Sequence, residues 1–146
     1  MKTLSLLSAV VFAVLPYYAV ADTLAFDTHY DNRGGSLTEV ACSDGANGLI
    51  TKGFTTYGSL PNFPNIGAAA AVTGWNSTGC GTCWEVTFTN STGAKKSLNI
   101  TAIDVAGPGT FNVAQAAMNN LIGGNAAQVG RVAVTSRQVP SSACGL

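Results

Sequence analysis

From Trp84 to Thr89 the chain alternates: Val86 and Phe88 point one way, while Glu85, Thr87 and Thr89 point the other. A period of two, carried by β-branched and aromatic residues, is what a half-buried strand requires. The same period runs through Ser97–Ile103, with Leu98, Ile100 and Ala102 set against Asn99, Thr101 and Ile103, and through Arg131–Gln138, with Val132 and Val134 on one face. Thr23–Tyr30 and Ser36–Ala41 follow it as well and are predicted as strands. Turn-forming clusters separate these runs at 31–35, 42–48 and 90–93. Residues 57–67 contain Pro61 and Pro64, which remove ladder donors, so this stretch is predicted as an extended surface segment carrying exposed aromatics. Ala68–Val72 predicts a short helix ended by Gly74. Val113–Ile122 predicts a longer one, with Asn112 as N-cap and Gly123-Gly124 as the stop. The sum is mainly β: several short strands, one clear helix and long loops, the outline of a small barrel with short helices.

The first residues break the pattern. Lys2 is followed by an apolar run from Leu4 to Val14 and by Ala19-Val20-Ala21, a small-x-small cleavage site. Residues 1–21 therefore predict a secretory signal peptide, with 22–146 as a single secreted, extracellular domain. The run is shorter than the roughly 20 residues a spanning helix needs, and no later stretch is apolar enough. Seven basic and seven acidic residues balance, and charged residues are only 10% of the chain. No basic patch appears, which argues against nucleic acid or an anionic membrane as partner. A surface of Ser, Thr, Asn and Gly instead suits neutral, hydroxyl-rich ligands or adsorption at interfaces.

Four cysteines in a small secreted domain point to two disulfides, and three pairings exist. A Cys80–Cys83 bridge would be a redox motif, which belongs at a helix N-terminus, yet the residues after Cys83 read as strand. The other two pairings remain open on the residues alone. With His29 the sole histidine, zinc is a poor fit, and no metal or cofactor is expected.

Asp104 is the leading candidate for chemistry. It ends the apolar strand Ala102-Ile103 and opens a glycine-rich loop, where a carboxyl acts either as a general acid or as a backbone cap. Glycoside hydrolysis needs a second carboxylate about 5–9.5 Å away, and the candidates are Asp27, Asp31, Glu39, Asp44 and Glu85. Asp31 and Asp44 read as turn residues, and His29 as a surface residue. Tyr57, Phe63 and Trp75 lie in loops and offer faces suited to sugar rings, whereas Trp84 is expected to pack on the disulfides. Sequons occur at Asn76, Asn90 and Asn99. The first two fall in loops and are glycosylation candidates, while the third lies in a strand.

The motifs Cys42-Ser43-Asp44-Gly45-Ala46-Asn47-Gly48-Leu49, Leu60-Pro61-Asn62-Phe63-Pro64-Asn65-Ile66-Gly67 and Cys80-Gly81-Thr82-Cys83-Trp84 together resemble the cerato-platanins, small secreted fungal proteins. The likeness continues through Ile103-Asp104, Phe111-Asn112-Val113 and Gly130-Arg131-Val132 to Cys144. The resemblance implies a six-stranded double-ψ β-barrel with disulfides Cys42–Cys80 and Cys83–Cys144. It also implies a non-catalytic protein that binds chitin or N-acetylglucosamine oligomers in a shallow groove and loosens wall polysaccharide as expansins do. Cell-wall association, elicitation of plant defence through a receptor, and a monomer that self-assembles at interfaces are further implications. The matching positions for ligand are Asp104, Asp44, Gly45, Asn47, Gly48, Phe63, Asn65, Phe111 and Asn112. Asp104 falls on the position of the proton donor of related endoglucanases, while the family lacks the usual base. Two alternatives stand beside this reading: a weak glycoside hydrolase with Asp104 as acid, and an interfacial self-assembling protein.

Overall fold

The computed structural model describes residues 19–146. Most of the expected signal peptide lies outside them. Within the described part, Val20 and Ala21 extend the first strand and pair with Ser136 and Thr135. Among the described residues no helix is long and apolar enough to cross a membrane.

The strands are β1 (Val20–Phe26), β2 (Ile66–Ala69), β3 (Cys83–Thr89), β4 (Lys95–Val105), β5 (Thr110–Val113) and β6 (Arg131–Val139). They close into a barrel in the order β1-β5-β2-β4-β3-β6. Two pairs are parallel, β1 with β5 and β2 with β4, and the remaining four are antiparallel. The fold class and the barrel are those the sequence implies. Leu24, Val86, Ile100, Phe111, Val113 and Val134 fill the interior. Closure removes open sheet edges, which matters in a chain with few charges to guard them.

The 27–65 segment wraps the outside of β4, and this explains why Ile100, Thr101, Ala102 and Ile103 are all buried rather than alternating. Cys42 N–H donates to Ile103 O at 3.1 Å, and Thr101 Oγ1 donates to Asn62 Oδ1 at 2.7 Å. That wrapping overturns several local expectations. The first strand ends at Phe26, because Asp27 caps a 3-10 turn over Thr28–Asp31 by accepting from His29 N. Leu37–Glu39 is a second 3-10 turn rather than a strand, capped by Ser36. Tyr57 is buried, not exposed, and starts a third such turn.

Ala68–Val72 is not a helix. Ala68 and Ala69 belong to β2, where a Cβ on Gly67 would stand 2.4 Å from Asn112 O and 2.6 Å from Val113 Cα. Only a glycine admits so close a backbone approach, and the tertiary contact overrides the helix propensity of alanine.

The longer helix, α1, runs over Gln115–Ile122. Asn112 lies in β5 and does not cap it. The free N–H groups of Gln115 and Ala116 are taken instead by Asp31 Oδ2 and Oδ1 at 2.8 and 2.9 Å, from 84 and 85 residues away. Gly123 ends α1 in the left-handed region at φ 64°. A short α2 over Ala126–Val129, not expected from the sequence, follows with Asn125 as its cap.

The bridges are Cys42–Cys80 and Cys83–Cys144, with Cα separations of 5.3 and 5.8 Å. They span 38 and 61 residues, for which loop-closure entropy gives about 4 kcal/mol each. Trp84, next in the chain to Cys83, packs against the core. It meets Phe111 edge-to-face, with ring centroids 5.9 Å apart, and its indole N–H donates to Thr82 Oγ1 at 2.9 Å.

Candidate functional site

Plain alternation from Ile100 and Ala102 would point Asp104 into the barrel. It does not go there, because the β2–β4 register shifts between Gly67 and Ala68, so that Gly67 faces Ala102 but Ala68 faces Asp104. The extra residue, Ile103, is a bulge that turns Asp104 to the outer face. The register then continues from Ala68 to Asn112, from Asn112 to Ala25, and from Ala25 to Arg131. Register partners share a face. Five strands thus set a row across the barrel, with a carboxylate at one end, a carboxamide near the middle and a guanidinium at the other. Beside it, Val105, Gly107, Thr110, Asn112 and Arg131 line a shallow concavity of about 410 Å³.

The Asp104 carboxylate is held from three directions. Oδ2 accepts from Tyr30 Oη at 3.0 Å, while Oδ1 accepts from Ala41 N at 3.1 Å and Val105 N at 2.9 Å. Of the two readings of this residue, these bonds are those of a backbone cap. It caps the strand end and the wrapping segment, and it stays partly exposed. Burial, then the charge and hydrogen bond of Asp104, push the Tyr30 hydroxyl well above its ordinary value.

Tyr30 belongs to a polar aromatic cluster. Its ring centroid lies 5.7 Å from His29 and 6.2 Å from Tyr57. Tyr57 Oη and His29 Nε2 are 2.7 Å apart, and His29 Nε2 lies 3.5 Å from Glu39 Oε2. Burial, then the carboxylates of Glu39, Asp104 and Asp27, push the Tyr57 hydroxyl up to about 12. Tyr30 and Arg131 are site residues that the sequence pattern does not single out. The signal available was Asp27-Thr28-His29-Tyr30, where an Asx residue can stop a strand and cap a turn.

The other expected ligand residues divide. Asn112 joins Asp104 in the outer row, whereas Phe111 faces inward against Trp84. Asp44, Gly45, Asn47 and Gly48 form a loop fastened to Trp75 and Asn76. Trp75 Nε1 donates to Asp44 Oδ1 at 2.6 Å, Asn47 N to Asn76 Oδ1 at 2.9 Å, and Asn47 Nδ2 to Asn76 O at 2.9 Å. Gly45 has φ 82° and leaves room for the Asn76 side chain. Trp75 is the exposed aromatic that the sequence predicts, 64% open to solvent. Phe63 is half-buried, with the Arg33 guanidinium 4.9 Å above its ring centre. Asn65 serves the backbone, its carbonyl accepting from Thr101 N and Asn62 Nδ2. Neither Phe63 nor Asn65 is among the hydrogen-bond partners of Asp104. No cluster of His, Cys, Asp and Glu suited to a metal occurs among the described residues.

The cerato-platanin family model matches residues 22–146. The chain is 54% identical over 123 residues to an Asp f 15 allergen homolog of Arthroderma benhamiae, covering 84% of this chain and 58% of that relative's length. It is 45% identical over 148 residues to the heat-stable 19 kDa antigen of Coccidioides immitis, covering 97% of both. Among solved structures, cerato-platanin 2 from M. perniciosa superposes with a TM-score of 0.81 at 52% identity, covering 87% of this chain and all of that one. The fungal elicitor cerato-platanin, in its solution structure, gives 0.68 at 37% identity, covering 84% of this chain and 95% of that one.

Proposed function

This chain belongs to the cerato-platanin family, and on that premise we propose that it is a secreted, non-catalytic carbohydrate-binding protein. It takes N-acetylglucosamine oligomers along the outer row from Asp104 past Asn112 and loosens wall polysaccharide without cutting it. The same partly open face would serve a plant receptor, in keeping with the description of a structural relative as a fungal elicitor.

The observation that carries this reading is the state of the acidic groups. All seven are engaged: Asp22 by Ser136, Asp27 by His29 N, Asp31 by α1, Glu39 by His29, Asp44 by Trp75, Glu85 by Arg137, and Asp104 by Tyr30 and two backbone N–H groups. Hydrolysis asks for a second carboxylate about 5–9.5 Å from the acid, and the row Asp104, Ala68, Asn112, Ala25, Arg131 contains none besides Asp104. A row of carboxylate, carboxamide and guanidinium beside a shallow concavity supports hydrogen bonding to hydroxyl and acetamido groups instead.

The test is an NMR titration of residues 22–146 with a chitin oligomer, with the sample then held for days. Shifts at Ala25, Val105 and Asn112 with the sugar intact support the reading. New reducing-end signals, lost in Asp104→Asn, would put the hydrolase in its place. Trp75, Val105 and Val129 are exposed apolar residues in a chain with few charges, which favours interfacial adsorption as a second property. Surface-tension lowering that survives Asp104→Ala together with absent sugar shifts would make that the main role.

A further inference from the structure

We propose that, of the three sequons, Asn90 alone carries an N-linked glycan. Asn90 sits at the exposed tip of the β3–β4 hairpin, and everything that shapes its side chain is local. Asn90 Oδ1 accepts from Thr92 N at 3.0 Å, Thr92 Oγ1 at 2.7 Å and Ala94 N at 2.9 Å. These bonds aim the carboxamide oxygen into the turn and leave Nδ2 outward, without a protein partner among the described residues. The sequon hydroxyl donates to the same carboxamide that must react. Five consecutive residues suffice to form this turn, so it can be populated while the rest of the chain is still unfolded, when transfer takes place.

The other two sequons are tied to distant parts of the fold. Asn99 lies within β4, its Nδ2 donates to Ala143 O at 3.2 Å, and its sequon residue Thr101 is buried. A glycan there would displace the turn over Ser141–Cys144 and with it the second bridge. Asn76 is half-buried with φ 58°, and its Oδ1 serves Asn47 N from 29 residues away. Its side chain fills the space where Gly45 has no Cβ, since a Cβ there would stand 2.7 Å from Asn76 Oδ1. Ser77, between the acceptor and the sequon threonine, is buried, with its Oγ accepting from Gly79 N.

The chemistry is a glycosyl transfer without redox change. Nδ2 of Asn90 bonds to the anomeric carbon of a lipid-pyrophosphate-linked oligosaccharide, the bond from that carbon to the phosphate oxygen breaks, and the pyrophosphate lipid leaves. The amide gives up one proton. A glycan at this tip sits roughly 30 Å along β4 from Asp104, so it leaves the carbohydrate row open.

The inference is tested by secreting residues 22–146 from a eukaryotic host behind a supplied leader, so that entry into the secretory route does not depend on this chain's own first residues. Intact mass is measured before and after an amidase that releases N-glycans and leaves aspartate at the acceptor. The expected result is one glycan, with aspartate at position 90 by peptide mapping. The mass increment should disappear in Asn90→Gln and in Thr92→Ala, persist in Thr92→Ser, and be unchanged in Asn76→Gln and Asn99→Gln. Secreted protein without a glycan, or a glycan mapped to Asn76 or Asn99, overturns it.

Discussion

Tyr30 and Asp104, 74 residues apart, share one hydrogen bond of 3.0 Å that ties the first turn after β1 to the last residues of β4. The tyrosine is buried and the carboxylate half-open, so the bond joins the wrapping segment to the outer row.

Removing either partner should therefore separate stability from binding. Asp104→Ala strands the Tyr30 hydroxyl and the Ala41 N–H, and is expected to cost about 2–3 kcal/mol in denaturant unfolding as well as oligosaccharide affinity. Tyr30→Phe removes one neutral donor and should cost about 1 kcal/mol, with the groove still able to bind. Equal losses of sugar binding in both variants would mean that the carboxylate acts only as a fastener.

Tyr30 and Tyr57 are the only tyrosines in residues 22–146, so an alkaline spectroscopic titration of that chain reads these two alone. Both hydroxyls have raised pKa values in the fold, Tyr57 to about 12. An unfolded tyrosine ionises near 10. The resulting stabilisation is complete below pH about 10 and is lost as pH rises through the folded value. Tyrosinate absorbance should thus stay absent past pH about 10 and appear together with loss of structure. A simple titration near pH 10 in the native protein would contradict the buried cluster.

Asp31 is the cap of α1. Asp31→Ala is expected to destabilise by about 1 kcal/mol, up to about 2, while Asp31→Asn, which still offers one acceptor, should lose less. Hydrogen exchange would place the effect in the first turn of α1. A loss spread evenly over the barrel would not fit.

Trp75 stands with its indole N–H already bonded to Asp44, so its ring is fixed without being buried. Trp75→Ala should weaken retention on insoluble chitin about fivefold, near 1 kcal/mol of lost ring contact. Asp44→Asn keeps an acceptor oxygen and should retain most of the binding. Unchanged retention in Trp75→Ala would remove the ring from the binding face.

The strands β3, β4 and β6 were legible because each has one face to the interior and one to solvent over part of its length, and period two records that. The Gly123 stop was legible for a similarly local reason, a single left-handed residue. The failures share one cause. Ala68 and Ala69 look helical until Asn112 and Val113 press against Gly67 from another strand. Tyr57 looks exposed until the wrapping segment closes over it. Asn112 looks like a cap because the true cap, Asp31, arrives from the far end of the chain. The site divides the same way. Asp104 was conspicuous as an acid ending an apolar strand, but its outward aim depends on the register slip at Ile103, and its partner Tyr30 comes from a turn read as strand.

The two bridges meet at neighbouring points, Cys80 and Cys83, and each closes a ring that does not overlap the other. A single cut between residues 42 and 80, and another between 83 and 144, each opens its ring but releases nothing. A single cut frees a fragment only in the tails or in the short link through Gly81 and Thr82. That link is laced into the barrel, with Gly81 N donating to Ala102 O and Ala102 N to Thr82 O. A nicked molecule therefore persists as one covalent body. In a limited digest without reductant, one cut in each ring should raise its mass only by the water added, with its outer surface still displayed.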